Sequence, residues 1–216
     1  MASLRQALAR RYAEIAFGLA APAYAFLTGH QAWRDSCRAL GDLVPGPRVL
    51  DVGVGPGGVA AALARGGGAR LHVGLDRSTA MLRRAARAGG GILLLRADAA
   101  ALPVREGAFD GATLHSVLYL LPDPDRALGE LRRVLRPGGR IALLEPRAGG
   151  ASLHRALAMG WRCGASMALW RTMSGVHARH DEASLAALLG RAGFCGARAW
   201  PVLAGYGVVA AAERGA

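Results

Sequence analysis

The stretch Val49-Leu50-Asp51-Val52 runs straight into the glycine cluster Gly53-Val54-Gly55-Pro56-Gly57-Gly58, and Val59 to Ala64 then has the composition of a helix. An apolar, β-branched run, a glycine cluster and a helical segment in that order predict a strand, a tight turn and a helix. Glycine lets the backbone bend sharply and approach a ligand without a Cβ clash, and the helix that follows aims unpaired N–H groups and the positive end of its dipole at the turn. The turn is therefore a ligand site, and one suited to an anionic group.

Glycines alone do not say which ligand, because Gly53, Gly55 and Gly58 also satisfy the dinucleotide fingerprint G-x-G-x-x-G. Nicotinamide and flavin folds run apolar residues up to the first glycine, whereas this chain places Asp51 two positions ahead of it. The resulting pattern, Asp51, Gly53, Gly55, Gly57, resembles the first motif of class I S-adenosylmethionine-dependent methyltransferases. In that resemblance Asp51 contacts the cofactor and also accepts hydrogen bonds from the amides of the turn.

At 216 residues, half of them hydrophobic, the chain suits one domain with a substantial core. No apolar run reaches the length of a membrane span, since the stretch from Ile15 to Leu27 is short and broken by Pro22. Arg5, Arg10 and Arg11 ahead of that stretch imitate a signal peptide. Glu14 interrupts the pattern, and a site for a cytosolic metabolite follows, so the expected location is cytoplasmic. Cys37, Cys163 and Cys195 are odd in number and widely spaced, which indicates neither a disulfide framework nor a zinc site. The net charge of +12 comes from arginine alone, lysine being absent, and favours polyanions or an anionic membrane surface.

In chain order, Leu4, Leu8, Tyr12, Ile15 and Leu19 form one helical stripe, and a second helix is expected from Gln31 to Leu43, ended by Pro45-Gly46-Pro47. Strands follow at Leu71–Leu75, Ile92–Leu95, Gly111–His115 and Arg140–Glu145. Helices are expected over Ser78–Ala88, after the cap Asp123-Pro124, and from Asp181 to Gly190, with the last strands after Phe194. Alternation of strand and helix predicts an α/β, doubly wound, Rossmann-like, mostly parallel sheet with its ligand at the carboxyl ends of the strands. The resemblance implies seven strands, the last antiparallel. One domain is expected over 1–216: a helical cap (1–44), a cofactor-binding core (45–146), an acceptor-pocket insertion (147–180), and a C-terminal helix with strands (181–216).

Asp76 ends the second strand about 20 residues past the turn, where an acid can accept the two ribose hydroxyls of an adenosine ligand. The bland alternative is a carboxylate capping the following helix. By resemblance Asp76, with Arg77 beside it, is the ribose site, and Asp98, with Ala99, contacts the adenine. Leu135-Arg136-Pro137-Gly138-Gly139 resembles a structural signature of the same family, a tight turn into the fifth strand, and Asp110 is read as a strand-start or turn residue. The expected cofactor is S-adenosylmethionine, held by Asp51, Gly53, Gly55, Gly57, Asp76, Arg77, Asp98, Ala99 and His115.

His115, at the end of the fourth strand, is the one catalytic candidate. It is a general base if the acceptor must lose a proton, and otherwise a wall of the adenine pocket. The insertion carries Leu153, Leu157, Trp161, Met167, Leu169, Trp170 and Met173 at helical spacings with arginines between them, suited to a pocket for a small hydrophobic acceptor or to a helix over the core edge. The run from Trp170 to Ser174 and the segments around Leu188 and Phe194 resemble, in residue character, methyltransferases of quinone C-methylation and bacterial phospholipid N-methylation. His177 and His180 have no further ligand at a compatible spacing, so no metal is expected. The alternatives are an RNA methyltransferase, disfavoured by low aromatic content and the lack of an RNA-binding module, and a non-catalytic S-adenosylmethionine-binding protein.

Overall fold

The computed structural model describes residues 26–58, 71–89, 91–175 and 179–216. The stripe from Leu4 to Leu19, the helix expected over 59–64 and His177 lie outside them. The described elements are α1 (Gln31–Asp42), β1 (Arg48–Val52), β2 (Leu71–Asp76), α2 (Thr79–Ala88), β3 (Leu93–Arg96), β4 (Phe109–His115), α3 (Pro124–Val134), β5 (Leu135–Pro146), α4 (Leu153–Ala158), α5 (Trp161–Ser174), α6 (Glu182–Arg191), β6 (Phe194–Val202) and β7 (Gly207–Arg214).

The strands form one seven-stranded sheet in the order β3-β2-β1-β4-β5-β7-β6. The first five strands are parallel, and β7 runs antiparallel to both β5 and β6. This is the doubly wound, mostly parallel architecture expected. The order reverses between β1 and β4, so the ends of these two strands open the crevice where such folds bind ligands.

Period-two alternation distributes the core over both faces. Leu50, Leu143 and Val208 point to the side covered by α3 and α6, where Leu128, Leu131, Leu185 and Leu189 are fully buried. Their neighbours Val49, Leu144 and Val209 point to the other side, against Trp33, Cys37 and Leu40 of α1 and Cys163, Met167 and Trp170 of α5. β4, central and covered on both faces, is buried along its whole length.

The helix starts follow their caps. Asp123 accepts from Arg126 N with Pro124 in the first turn, Ser78 accepts from Met81 N, and Asp181 with Ser184 forms a reciprocal capping box. Ser78 is thus the cap of α2, which leaves Asp76 free of that duty. The cap of α1 is His30, whose Nδ1 accepts from Trp33 N at 3.2 Å.

The expected turn at 135–139 is instead a wide bulge inside a longer strand. Leu135 pairs with Phe109 and Arg140 with Gly111, so Arg136 to Gly139 loop out opposite Asp110 alone. A Cβ on Gly139 would lie 2.8 Å from the Arg136 carbonyl oxygen, which is why a glycine closes the loop. Asp110 fills the space: its carboxylate receives Arg48 Nε and Nη2, both at 3.0 Å, and Arg136 Nε at 2.7 Å. These guanidinium groups hold its pKa down at about 2. Asp110 is a structural anion, in line with its reading as a strand-start residue.

Candidate functional site

β1, β2 and β4 are neighbours and parallel, so their carboxyl ends bring Gly53, Asp76 and His115 to one edge of the sheet. The turn after β1 is left-handed at Gly53, Gly55 and Gly57, with φ of +69°, +51° and +90°. Gly53 is also a close approach, because a Cβ there would lie 2.3 Å from Cγ2 of Val117 in the segment after β4.

Asp76 closes the turn from the β2 side. Its Oδ2 accepts from Gly55 N at 3.0 Å and its Oδ1 from Ser78 N at 2.8 Å. Burial raises its pKa, and the N–H groups of Ser78, Gly55 and Arg77 work against that rise. A half-buried carboxylate joined to the turn's own backbone is a pre-placed acceptor for vicinal hydroxyls. Asp98 follows β3, accepts from Ala100 N at 3.0 Å, and faces Arg77 with Nε 3.9 Å from its Oδ2. Ala99 is buried beneath it.

Asp51 does not receive the amides of the turn. Its Oδ1 accepts from the Thr113 hydroxyl on β4 at 2.9 Å, and its Oδ2 is buried with no hydrogen-bond partner. The reason is direction: Asp51 lies inside β1, level with Thr113 in the sheet, so its side chain leaves the strand sideways to the turn. Burial pushes its pKa up to about 7, opposed by the Thr113 bond.

His115 is enclosed by α1. Its ring lies 4.7 Å from the Trp33 ring, and its Nε2 is 3.2 Å from Ser36 Oγ. Burial lowers its pKa to about 4, so the imidazole is neutral near pH 7. Trp170 of α5 meets Trp33 edge to face at 5.4 Å and donates its indole N–H to Ser116 Oγ at 2.7 Å. Ser116 itself is left-handed, at φ +63°. The Tyr119 hydroxyl is hydrogen-bonded within the same group, to Ser116 and Trp170, and burial pushes its pKa up to about 12.

Glu145, at the end of β5, organises this segment. Its carboxylate accepts from Val117 N at 3.1 Å, Leu118 N at 2.8 Å and Tyr119 N at 3.1 Å, and it is fully buried. Burial raises its pKa to about 7 against those three bonds. From the sequence alone Glu145 is only a strand terminus, although an acid after Ile141-Ala142-Leu143-Leu144 is a signal in itself, since a buried carboxylate needs donors. Trp33, Ser36, Ser116 and Tyr119 were likewise not singled out for the site.

The insertion divides. Met167 and Trp170 are buried and Met173 half-buried, whereas Leu153, Leu157, Trp161 and Leu169 are exposed. His180 pairs its backbone with Arg147, and among the described residues no three His, Cys, Asp or Glu side chains are grouped to hold a metal.

The donor set fits S-adenosylmethionine. Asp76 would hold the ribose hydroxyls, the glycine turn would accommodate the carboxylate of the methionine moiety with its backbone, and Asp98 would meet the adenine amine. The buried Asp51 oxygen without a partner is a feature a purely structural turn does not require.

Residues 50–143 match a family described as "Methyltransferase domain". A demethylmenaquinone methyltransferase of Thermus thermophilus is 46% identical over 103 residues, covering 45% of this chain and 46% of that protein. A 2-phytyl-1,4-naphtoquinone methyltransferase of Synechococcus elongatus is 39% identical over 123 residues, covering 54% and 53%. The chain thus spans about half the length of the curated relatives it matches. A Thermotoga maritima structure, described as a SAM-dependent methyltransferase and possible histamine N-methyltransferase, superposes with a TM-score of 0.71 at 21% identity, covering 92% of this chain and 97% of that one. That likeness concerns the fold. The glycine turn, Asp51, Asp76, Asp98 and the bulged start of β5 all lie inside residues 50–143, and it is this segment that matches a methyltransferase domain, of the S-adenosylmethionine-dependent class I kind.

Proposed function

We propose that the protein methylates a small, flat, apolar acceptor of the quinone-precursor kind. The observation that carries this reading is the aromatic wall beside the glycine turn: Trp33, His115, Tyr119 and Trp170 converge at the carboxyl ends of β4 and β5. Planar side chains suit a planar acceptor, and the quinone-type names of the relatives support the same class. When bound, S-adenosylmethionine supplies an electrophilic methyl carbon on a sulfonium.

The chain's own residues supply position. Asp76 and the turn amides fix the cofactor end of the site, and Glu145 fixes the 117–119 backbone that packs against Gly53. Trp33 and Trp170 exclude water, which favours an in-line approach of an acceptor carbon. His115 is neutral but weakly basic and engaged with Ser36, so its role is to shape the wall. A quinol that has already lost its hydroxyl proton to solvent can attack as the quinolate, the C–CH3 bond forming as the S–CH3 bond breaks, and the hydrogen left on the methylated ring carbon then passes to the oxygen through solvent, so the transfer needs no buried base.

The test is incubation of purified protein with methyl-labelled S-adenosylmethionine, a naphthoquinol lacking the ring methyl, and separately fractionated cell extract. Label in the quinol and in the organic fraction is expected. Label confined to RNA or to polar metabolites would overturn the reading.

A further inference from the structure

One surface stands apart from the site. Between Glu145 and Asp181 the chain has no acidic residue, and five arginines stand there: Arg147, Arg155, Arg162, Arg171 and Arg179. The α4–α5 corner inside this stretch is apolar and open. Leu153 is 47%, Leu157 48%, Met159 48% and Trp161 64% exposed, and Phe26, 55% exposed, stands 6.3 Å from the Trp161 ring. Arg162 lies over the Phe26 ring at 4.2 Å and donates to the Phe26 carbonyl, so the two segments form one continuous surface. The outward face of α5 continues it through Ala165, Ala168 and Leu169, all exposed and none charged.

A soluble helix ordinarily turns a polar face to water. Here α5 buries Met167 and Trp170 on one side and shows tryptophan, alanine and leucine on the other, with arginines at the flanks. Large exposed apolar residues rimmed by cations are the pattern of a surface that enters the headgroup region of a bilayer, apolar groups down and guanidinium groups among the phosphates. A second copy of the chain is a poorer occupant, because pairing this face with itself would bring Arg155 and Arg162 against their own copies without an acid in the stretch to offset them.

We infer that the α4–α5 corner, with Phe26, is a docking surface for an anionic lipid bilayer, entered by Trp161, Met159 and Leu157 and held by the exposed Arg155, while Arg162 ties Phe26 into the surface. The surface needs neither cofactor nor acceptor, so it stands or falls apart from the proposed methyl transfer. It does give an apolar acceptor a short route to α5, whose inner side carries Trp170.

Sedimentation with vesicles tests this, using the whole chain and comparing phosphatidylglycerol–phosphatidylcholine with pure phosphatidylcholine. Binding to the anionic vesicles at low salt, weak binding to the neutral ones, and release as salt rises are expected. Trp161→Asp, at a side chain largely in water, should weaken binding by about tenfold or more. Arg155→Glu, which alters only the flanking charge, should weaken it by about tenfold as well. Leu93→Ser, at an equally exposed apolar residue on the β3 edge, should leave it unchanged. Three results would overturn the inference: protein left in the supernatant with anionic vesicles, equal loss in Leu93→Ser, or a dimer by sedimentation velocity that Trp161→Asp dissolves without any vesicle binding by the wild type.

Discussion

Gly53 and Val117 are packed so closely that a Cβ on the glycine would sit 2.3 Å from Cγ2 of the valine, although 64 positions separate them in the chain. The glycine turn and the segment after β4 therefore pack directly on each other, and the Glu145 carboxylate fixes that segment by accepting its backbone N–H groups.

Gly53→Ala should cost stability and cofactor binding together. Overpacking costs ~1–3 kcal/mol, and a left-handed alanine adds ~1–2 kcal/mol. Val117→Ala on the same background should recover the steric part and leave the backbone part. Urea unfolding of the single and double variants measures both, and a double variant no better than Gly53→Ala would mean that the clash is not what requires glycine.

Asp76→Ala removes the acceptor that the ribose hydroxyls would use. Loss of hydrogen bonds to a charged group, ~1.5–3 kcal/mol, predicts affinity for S-adenosylmethionine weaker by about 10- to 150-fold. The variant also frees Gly55 N, so Asp76→Asn, which keeps one oxygen, should fall between the two. Calorimetric titration decides; unchanged affinity in both variants removes Asp76 from the site.

His115→Gln should keep turnover within about tenfold and leave the pH profile of kcat in place, because a group with a pKa of about 4 does not titrate near neutrality. A loss of roughly two orders of magnitude, together with disappearance of a titrating limb, would restore His115 as a general base.

Asp51→Asn should stabilise the cofactor-free protein at pH 8 and do so less at pH 5. The folded pKa of about 7 lies above the ordinary value of 3.8, so between these values the folded state holds a proton that the unfolded state has released. Stability is then lost as pH rises through that window, on the order of a few kcal/mol in full. Asn cannot ionise and escapes the loss. Asp110 runs the other way: with its folded pKa at about 2, its contribution is present above 3.8 and fades as pH falls toward 2. Denaturation curves at the two pH values check the Asp51 prediction, and a gap that does not change with pH would show that Asp51 is not carrying the charge cost.

What the chain revealed in advance was local. The glycine turn, the helix starts at Ser78 and Asp181, the cap at Asp123 and the acid ending β2 each depend on residues a few positions apart, where periodicity and turn chemistry act directly. The partner of Asp51 is Thr113, 62 residues away, and only strand register brings them level. Glu145 was passed over for the same reason, since the N–H groups it holds lie on another strand's exit. The bulge at Arg136–Gly139 read as a turn because its loop residues are turn residues, and the pairing of Leu135 with Phe109 that makes it a strand is non-local. The apolar residues of the insertion were legible as a helix but not by side, because a helix with apolar residues on both faces has no stripe to point inward.

The four tryptophans are sorted by this architecture into two kinds of optical probe. Trp33 and Trp170 are buried in mutual edge-to-face contact beside His115, while Trp161 and Trp200 are open to solvent. The inner pair should produce a strong near-ultraviolet dichroic couplet and resist collisional quenchers, and the outer two should emit to the red and quench freely. A quinone drawn against the aromatic wall would darken the inner pair by electron transfer and leave the outer emission in place. Under the proposed function, the inner pair thus reports on acceptor binding without label or turnover.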